Sequence, residues 1–380
     1  MAVFSGPEIV NNGLVFYYDV SNTQRSWKGA PTTNLYTDGD FSSGNLHPVR
    51  YGTWQIVPDP RDSFKRVLKA TPFANNQYHG RDIPVTISTA YSLQMEVFVS
   101  PDFDGTNVQM YPEQGGGGAN KLYDLTKKGT WQILRFDGKA ATTTNIRMLA
   151  YVLSSFTTGY VLISNVQVEQ QPYATPFVND TRSNTQAILD LSGNNVITAT
   201  SLSYHANNTF TFDGANNYIQ ISKTRTGLGI TNTYSLEAVF RRSSNLGGKI
   251  ILGGQGYNWG IMTTTNGCRA EHWYSSDGGT VWNYFTTGDA VAPINTWTHV
   301  VATFNHLGNM CTYINGRLVI TANMSAYTNN WMNTPICIGG YNYFDYRFNG
   351  LIPLAKVYNR ELTANEISQN FEAIRGRYGI

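Results

Sequence analysis

The residues of this chain best suited to recognition chemistry are aromatic rings in segments rich in glycine, asparagine and serine. They are Trp259, Trp273, Tyr274, Trp282, Tyr284, Trp331, Tyr341 and Tyr343. Flat rings stack on the apolar faces of sugars, while neighbouring amide and carboxylate groups bond the sugar hydroxyls. Similar rings also pack in cores or form contacts between subunits, so carbohydrate binding and packing both remain open.

Groups suited to bond-breaking chemistry do not form a recognisable pattern. Hydrolysis of a glycosidic bond requires two nearby carboxyl groups, and Glu237 stands alone in its segment. The six histidines show neither metal-ligand spacing nor a nucleophile motif, and we expect His299 to be a core or rim residue. The sequence therefore predicts a protein that is not an enzyme.

Two clusters of polar residues raise the question of calcium. Asp213, Asn216 and Asn217 could supply oxygen ligands, and the same holds for Asp38 and Asp40. Turns stabilised by Asp and Asn side chains explain these residues equally well. No cofactor is predicted, and calcium stays open as the alternative at these turns.

Composition limits the class of partner. The chain has 380 residues, a net charge of +2 and only 14% charged residues, which argues against binding to nucleic acid. No apolar stretch approaches the about 20 residues of a membrane helix, and the first residues lack the pattern of a secretory leader. We therefore expect neither membrane insertion nor secretion. Three widely separated cysteines predict buried free thiols.

Short apolar or alternating segments bounded by turn formers predict an all-β fold. In residues 234–240, Tyr234, Leu236, Ala238 and Phe240 share one face, as expected of a sheet packed on one side. The pair Asn315-Gly316 predicts a two-residue hairpin turn. An antiparallel β-sandwich is the natural arrangement for such strands.

One helix is predicted, at the end of the chain. Thr363 and Glu366 form the pattern of a capping box. Ile367, Phe371 and Ile374 follow on one helical face, which can pack on the sandwich, and Gly376 is expected to end the helix.

Two parts of the chain carry a family likeness. Residues 34–44, Trp54, 91–99, 129–131 and 163–169 resemble, in that order, the jelly-roll carbohydrate-binding-like modules of glycanases and phage tail proteins. Segments 212–221, 234–240, 295–301, 313–316 and 348–363 resemble laminin-G-like, concanavalin A-like sandwich domains. The endings 167–178 and 367–380 are similar to those of tailed-phage virion proteins.

The order of these segments suggests an insertion. In phage relatives, a strand similar to 13–19 is followed after a short loop by a segment similar to 190–194, whereas about 170 residues intervene here. The hypothesis assigns 1–30 to the first strand of the laminin-G-like domain, 31–178 to an inserted jelly roll and 179–380 to the rest of the sandwich.

The resemblance implies a structural surface protein of a tailed-phage virion, in a tail fibre or a head decoration, with a lectin-like domain. Its expected partners are other virion proteins, further copies of itself and host surface glycans, and its expected location is the virion, assembled in the host cytoplasm. Two alternatives remain: a decoration protein that binds no sugar, and a glycan-cleaving enzyme or its binding module.

Overall fold

A computed structural model describes residues 8–20, 22, 25–114, 120–200, 203–204, 210–255, 259–275, 282–324, 333–342 and 346–380, and the backbone alone at 114, 203, 204, 210, 273–275, 282 and 283. The chain forms two compact units. The larger contains residues 1–29 and 184–380, and the smaller contains residues 30–183. No helix in the described part of the chain is long and apolar enough to cross a membrane.

The strands and the helix follow in chain order. The larger unit begins with β1 (Leu14–Asp19). The strands of the smaller unit are β2 (Thr32–Thr33), β3 (Val49–Tyr51), β4 (Trp54–Asp59), β5 (Asp62–Ala70), β6 (Gln77–Pro84), β7 (Ala90–Val99), β8 (Val108–Gln114), β9 (Lys121–Leu122), β10 (Trp131–Ala140), β11 (Asn145–Val152), β12 (Val161–Glu169) and β13 (Thr181–Arg182). The larger unit continues with β14 (Ile197–Thr200), β15 (Ser203–Tyr204), β16 (Phe210–Asp213), β17 (Tyr218–Thr224), β18 (Thr233–Arg242), β19 (Ile250–Gly254), β20 (Trp259–Thr263), β21 (Gly267–Ser275), β22 (Trp282–Thr286), β23 (Ala290–Val291), β24 (Thr298–Asn305), β25 (Asn309–Ile314), β26 (Arg317–Asn323), β27 (Pro335–Ile338), β28 (Asn349–Tyr358) and helix α1 (Ala364–Tyr378). Short 3-10 helices span Leu125–Lys127 and Thr226–Leu228.

The larger unit is an antiparallel sandwich. One sheet has the order β15-β16-β28-β18-β24-β25-β26, with β1 also paired to β28, and the other has the order β14-β17-β27-β19-β20-β21-β22, with β23 paired to β21. Buried apolar side chains from both sheets, among them Phe16, Phe240, Ile251 and Ile336, form the core between them. The prediction of an all-β antiparallel sandwich is confirmed.

Both faces of β18 are buried, which corrects the expectation of a sheet packed on one side. Tyr234, Leu236, Ala238 and Phe240 do share the core face. The opposite face carries Val239, which packs against Ile374 of α1. The helix therefore covers the outer side of this sheet, and the alternation of apolar residues in β18 does not reveal this second layer.

The helix begins where the sequence predicts and ends later. Thr363 is the N-cap, and its side chain and that of Glu366 form the predicted capping box. Gly376 does not end the helix. An added Cβ at Gly376 would meet no neighbouring atom, and the helix continues to Tyr378, where the C-cap Gly379 closes the last turn with a left-handed φ of 68°. Glycine inside an exposed helix is tolerated at a modest cost.

Local turn chemistry is confirmed in the β25–β26 hairpin. Asn315 and Gly316 have φ values of 49° and 77°, the left-handed conformations that such a turn requires. The three cysteines, Cys268, Cys311 and Cys337, are buried with free thiols, also as predicted. Burial raises the pKa of the Cys268 and Cys337 thiols to about 12.

The smaller unit is a jelly roll. Its sheets have the orders β10-β7-β12-β5-β4 and β3-β6-β11-β8-β9, so successive strands from β5 to β8 alternate between the two sheets. Buried side chains such as Phe41, Met95, Met148 and Ile163 fill the space between them. Strands β2 and β13, near its two ends, pair with each other.

Candidate functional site

The structure separates the aromatic residues that the sequence singles out. Trp259 is 2% exposed in the core of the larger unit, with its ring 4.9 Å from that of Tyr234. Tyr341 is buried and stacks on Tyr346 at 5.5 Å. Of the two alternatives that the sequence leaves open, packing describes Trp259 and Tyr341.

For the remaining candidate rings, carbohydrate binding stays a prediction. Tyr284, on β22, is 56% exposed. The backbone places Trp273 and Tyr274 on β21 and Trp282 on β22, and Trp273 is opposite Tyr284 in the strand pairing. Of Trp273, Tyr274 and Trp282, the structure describes only the backbone. Trp331 and Tyr343 lie outside the described residues.

A different set of rings forms a continuous row on the outer face of the β3-β6-β11-β8 sheet in the jelly roll. We call this surface the tyrosine face, defined by Tyr51, Tyr78, Tyr151 and Tyr111. Neighbouring ring centroids are 6.0 Å, 5.7 Å and 5.8 Å apart along the row. Four adjacent strands extend over about 14 Å, so the row is longer than one sugar ring.

Strand register produces this row. Tyr51 is opposite Tyr78, and Tyr78 is opposite Tyr151. On β11 the residues Ile146, Met148, Ala150 and Val152 point into the core, so Tyr151 between them points outwards. Tyr51 is 46% exposed, and the other three rings are half-buried.

Beside the tyrosine row, Gly80 and Leu149 form a closely packed, buried part of the sheet. Gly80 lies next to Leu149 in the register, and a Cβ added to Gly80 would collide with the carbonyl oxygen of Met148. No side chain can therefore stand at this position. Leu149 lies on the outer side of the sheet but is only 1% exposed, so neighbouring side chains cover it.

A charged rim lies beyond Gly80 and Leu149 along the same strands. The Arg147 guanidinium donates to both carboxylate oxygens of Asp82, at 2.6 and 3.1 Å, and to Glu113 at 3.2 Å. Hydrogen bonds from Arg147 lower the pKa of Asp82. The rim thus has two carboxylates and one guanidinium, which leaves one excess negative charge.

Amide side chains complete the surface. Gln109, opposite Tyr151 and 3% exposed, accepts a hydrogen bond of 3.0 Å from the Asn120 amide. The Asn76 amide donates to the Tyr151 hydroxyl. The tyrosine face therefore combines flat rings with neutral donors and acceptors, which is a chemistry suited to hydroxyl-rich, uncharged ligands.

The opposite sheet of the jelly roll also has outward rings, but cations of the chain itself cover them. The Arg61 guanidinium lies 3.6 Å from the Trp131 ring centroid, and the Lys69 ammonium lies 4.6 Å from that of Tyr160. Such stacking uses the ring faces that a sugar would need. These rings are thus less suited to bind a sugar than the tyrosine face.

A groove of about 570 Å³ lies beside this second sheet. Its lining residues are Asp40, Ser42, Asp59, Arg61, Asp62, Phe64, Lys65, Arg66, Ser164, Asn165 and Phe177. The Arg61 guanidinium is bonded to both oxygens of Asp59 and to Glu96. Its strongest charges are therefore already paired within the chain.

The possible calcium ligands take part in turns. One oxygen of Asp213 accepts hydrogen bonds from the main-chain N–H groups of Ala215, Asn216 and Asn217 at 2.8 to 3.2 Å. Asp38 likewise accepts from the N–H of Ser43. These bonds favour the turn interpretation. Among the described residues, no group of three or more His, Cys, Asp or Glu side chains is arranged to hold a metal ion.

Part of the larger unit matches a protein-family model. Residues 213–368 match the model described as the concanavalin A-like lectin/glucanases superfamily. The chain therefore carries a concanavalin A-like domain. A comparison with curated protein sequences found no match.

Solved structures of bacterial toxin domains are similar to this chain. A structure of botulinum neurotoxin type C, whose cell entry depends on two ganglioside molecules, is 18% identical with a TM-score of 0.39, and the match covers 50% of this chain and 49% of that chain. The binding domain of botulinum neurotoxin DC in complex with SialylT gives the same identity, score and coverage. The binding domain of Paraclostridial Mosquitocidal Protein 1 is 15% identical with a TM-score of 0.39, covering 48% and 49%. This chain thus spans about half the length of these structures.

Proposed function

We propose that this protein is a non-catalytic surface component of a tailed-phage virion that binds neutral glycan chains of the host on its tyrosine face. The observation that carries the glycan-binding part is the row of four neighbouring tyrosines on one face of the sheet. A lectin-like role is also in keeping with the concanavalin A-like domain of the larger unit.

Charge favours a neutral glycan over an acidic one. Arg147 uses its guanidinium on Asp82 and Glu113, so a sugar carboxylate would meet a rim with one excess negative charge. The length of the row favours a chain of several sugar rings over a single terminal sugar.

The test is binding of the full chain to an array of neutral and acidic oligosaccharides, followed by titration calorimetry with the best neutral binder. Tyr78→Ala and Tyr151→Ala should each weaken binding roughly fivefold, because stacking on one aromatic ring contributes about 1 kcal/mol. Tyr173→Ala is the matched control, since this exposed tyrosine lies in the same unit but away from the face. Unchanged affinity in both face variants would refute the assignment.

The virion assignment is supported by the motif resemblance of residues 167–178 and 367–380, and many copies on one particle would raise avidity for weakly bound glycans. Mass spectrometry of purified virions with antibody labelling tests it and distinguishes tail from head. Detection only in the cytosol of infected cells would contradict it.

A second candidate, a decoration protein that only contacts neighbouring subunits, is favoured by one observation. Ile133 is 64% exposed on β10, on the same side as Trp131, and such patches are typical of protein interfaces. Presence on the virion with no glycan bound on the array would select this candidate.

A further inference from the structure

Three polar side chains are enclosed between the sandwich and its terminal helix. Glu237 on β18, Lys356 on β28 and Asn370 on α1 are each 0% exposed. Glu237 is directly opposite Lys356 in the strand pairing. Glycan binding as proposed above does not use this site, which lies in the other unit.

The Glu237 carboxylate bridges the other two groups. The Lys356 ammonium is 2.8 Å from one carboxylate oxygen, and the Asn370 amide nitrogen is 2.7 Å from the other. The Asn370 carbonyl oxygen accepts a hydrogen bond of 2.8 Å from the main-chain N–H of Val10. The Tyr358 hydroxyl accepts a second bond from the Asn370 amide at 2.9 Å.

From this arrangement we propose that Lys356 and Asn370 become joined by an intramolecular isopeptide bond, with Glu237 as the proton carrier. The uncharged Lys356 amine attacks the side-chain carbonyl carbon of Asn370 and forms the new C–N bond. The bond from that carbon to the amide nitrogen of Asn370 breaks, and ammonia leaves. No oxidant, reductant or further reactant is required.

The surroundings supply what this reaction needs. Glu237 can take a proton from Lys356 at one oxygen and deliver it to the leaving nitrogen at the other, which is general base and then general acid catalysis. The Val10 N–H points at the oxygen on which negative charge develops during the attack. Burial excludes water, which would otherwise compete for the carbonyl carbon.

The ion pair is the resting state of the site. Burial raises the pKa of Glu237, but the charge of Lys356 and the bond from His299 outweigh it and lower this pKa to about 2. Because the pKa of Glu237 is low, the neutral pair formed by transfer of the proton from Lys356 to Glu237 has a low population. The reaction is therefore expected to be slow and to follow folding.

Peptide mapping of the full chain by mass spectrometry tests the proposal. Trypsin cleaves after Arg360, so an isopeptide bond would join the peptide that contains Lys356 to the peptide that contains Asn370, with a mass lower by one ammonia than their sum. Two separate, unmodified peptides in the folded wild-type protein would overturn the proposal and leave the trio as a hydrogen-bonded ion pair only.

Two variants assign the roles. Asn370→Asp should give the same joined product as the wild type, because an acid loses water where the amide loses ammonia. Glu237→Gln should yield separate peptides, since a glutamine cannot accept the proton from Lys356. A joined product in Glu237→Gln would overturn the role of Glu237. Circular dichroism identifies any variant that fails to fold. The peptide map of the wild-type protein decides the proposal even if a variant does not fold.

Discussion

Lowering the pH from 7 to 5 should destabilise the jelly-roll unit, because two buried histidines there must remain uncharged. His47 and His79 are 5% and 1% exposed, and their ring centroids are 5.1 Å apart. The His47 main-chain N–H donates to Nε2 of His79 at 3.0 Å. That nitrogen can accept the bond only while it carries no proton.

The groups around the pair determine the size of the effect. Burial, together with the charge of Arg81, lowers the pKa of His47 to about 4, against the opposing influence of Asp38. Burial, the neighbouring His47 and the charges of Arg50 and Arg81 lower the pKa of His79 to about 3. Both values lie below the about 6.5 of an unfolded chain.

The sign of the pH dependence follows from these shifts. Because the folded pKa values are the lower ones, the stability contributed by the neutral rings is complete above about pH 6.5 and is lost as the pH falls towards 4. At pH 5 each histidine accounts for a loss of about 2 kcal/mol. Since the two rings interact, the pair should lower the free energy of unfolding by about 2 to 4 kcal/mol, or the melting temperature by about 5 to 15 °C.

Differential scanning calorimetry of the full chain at pH 7, 6 and 5 measures this effect. The calorimetric transition that shifts in His79→Gln is assigned to the jelly-roll unit. In this variant the melting temperature of that transition should depend less on pH over the same range. His306→Gln, a half-buried histidine in the other unit, is the control and should leave that transition unchanged. An equal pH dependence in the wild type and His79→Gln would refute the reasoning.

Three further changes should alter stability, each measured by thermal unfolding. Gly80→Ala should destabilise the jelly roll by at least about 2 kcal/mol, because the new Cβ collides with the carbonyl of Met148; wild-type melting would contradict the described backbone approach. Trp259→Ala should lower the free energy of unfolding by about 3 to 5 kcal/mol, because its ring is buried. Tyr284→Ala should change it by less than about 0.5 kcal/mol, because this ring is exposed. Equal effects of the two variants would contradict their different burial. Thr363→Ala removes the cap of α1 and should cost about 1 kcal/mol; no change would show that the capping box contributes little.

Features encoded by neighbouring residues could be read from the sequence. The turn at Asn315-Gly316 needs only two residues with left-handed backbones, and the helix start needs only Thr363 and Glu366 three positions apart. The predicted end of α1 at Gly376 is wrong, because no neighbouring residue stops the helix there. Gly379 closes the last turn instead.

The tyrosine face could not be read in the same way. Alternation on β11 is sufficient to point Tyr151 outwards, but its position beside Tyr78 depends on the register between β6 and β11, which are separated by four other strands in the chain. A single sequence does not give that register. The rings that were prominent in the sequence, such as Trp259, include core residues because glycine-rich surroundings do not distinguish a loop from a buried strand.

The pairing of the first strand with the last has a consequence for synthesis on the ribosome. Strand β1 bonds β28 from Leu14 opposite Tyr358 to Asp19 opposite Leu354. At about 5 to 20 residues per second, roughly twenty to seventy seconds pass between translation of the two partners. During that interval the nascent sandwich lacks β28, the strand between β16 and β18, while the intervening jelly roll, whose strand pairs are complete by residue 183, can already fold. Slowing or truncating translation near the 3′ end should therefore leave a folded middle and an unfolded remainder.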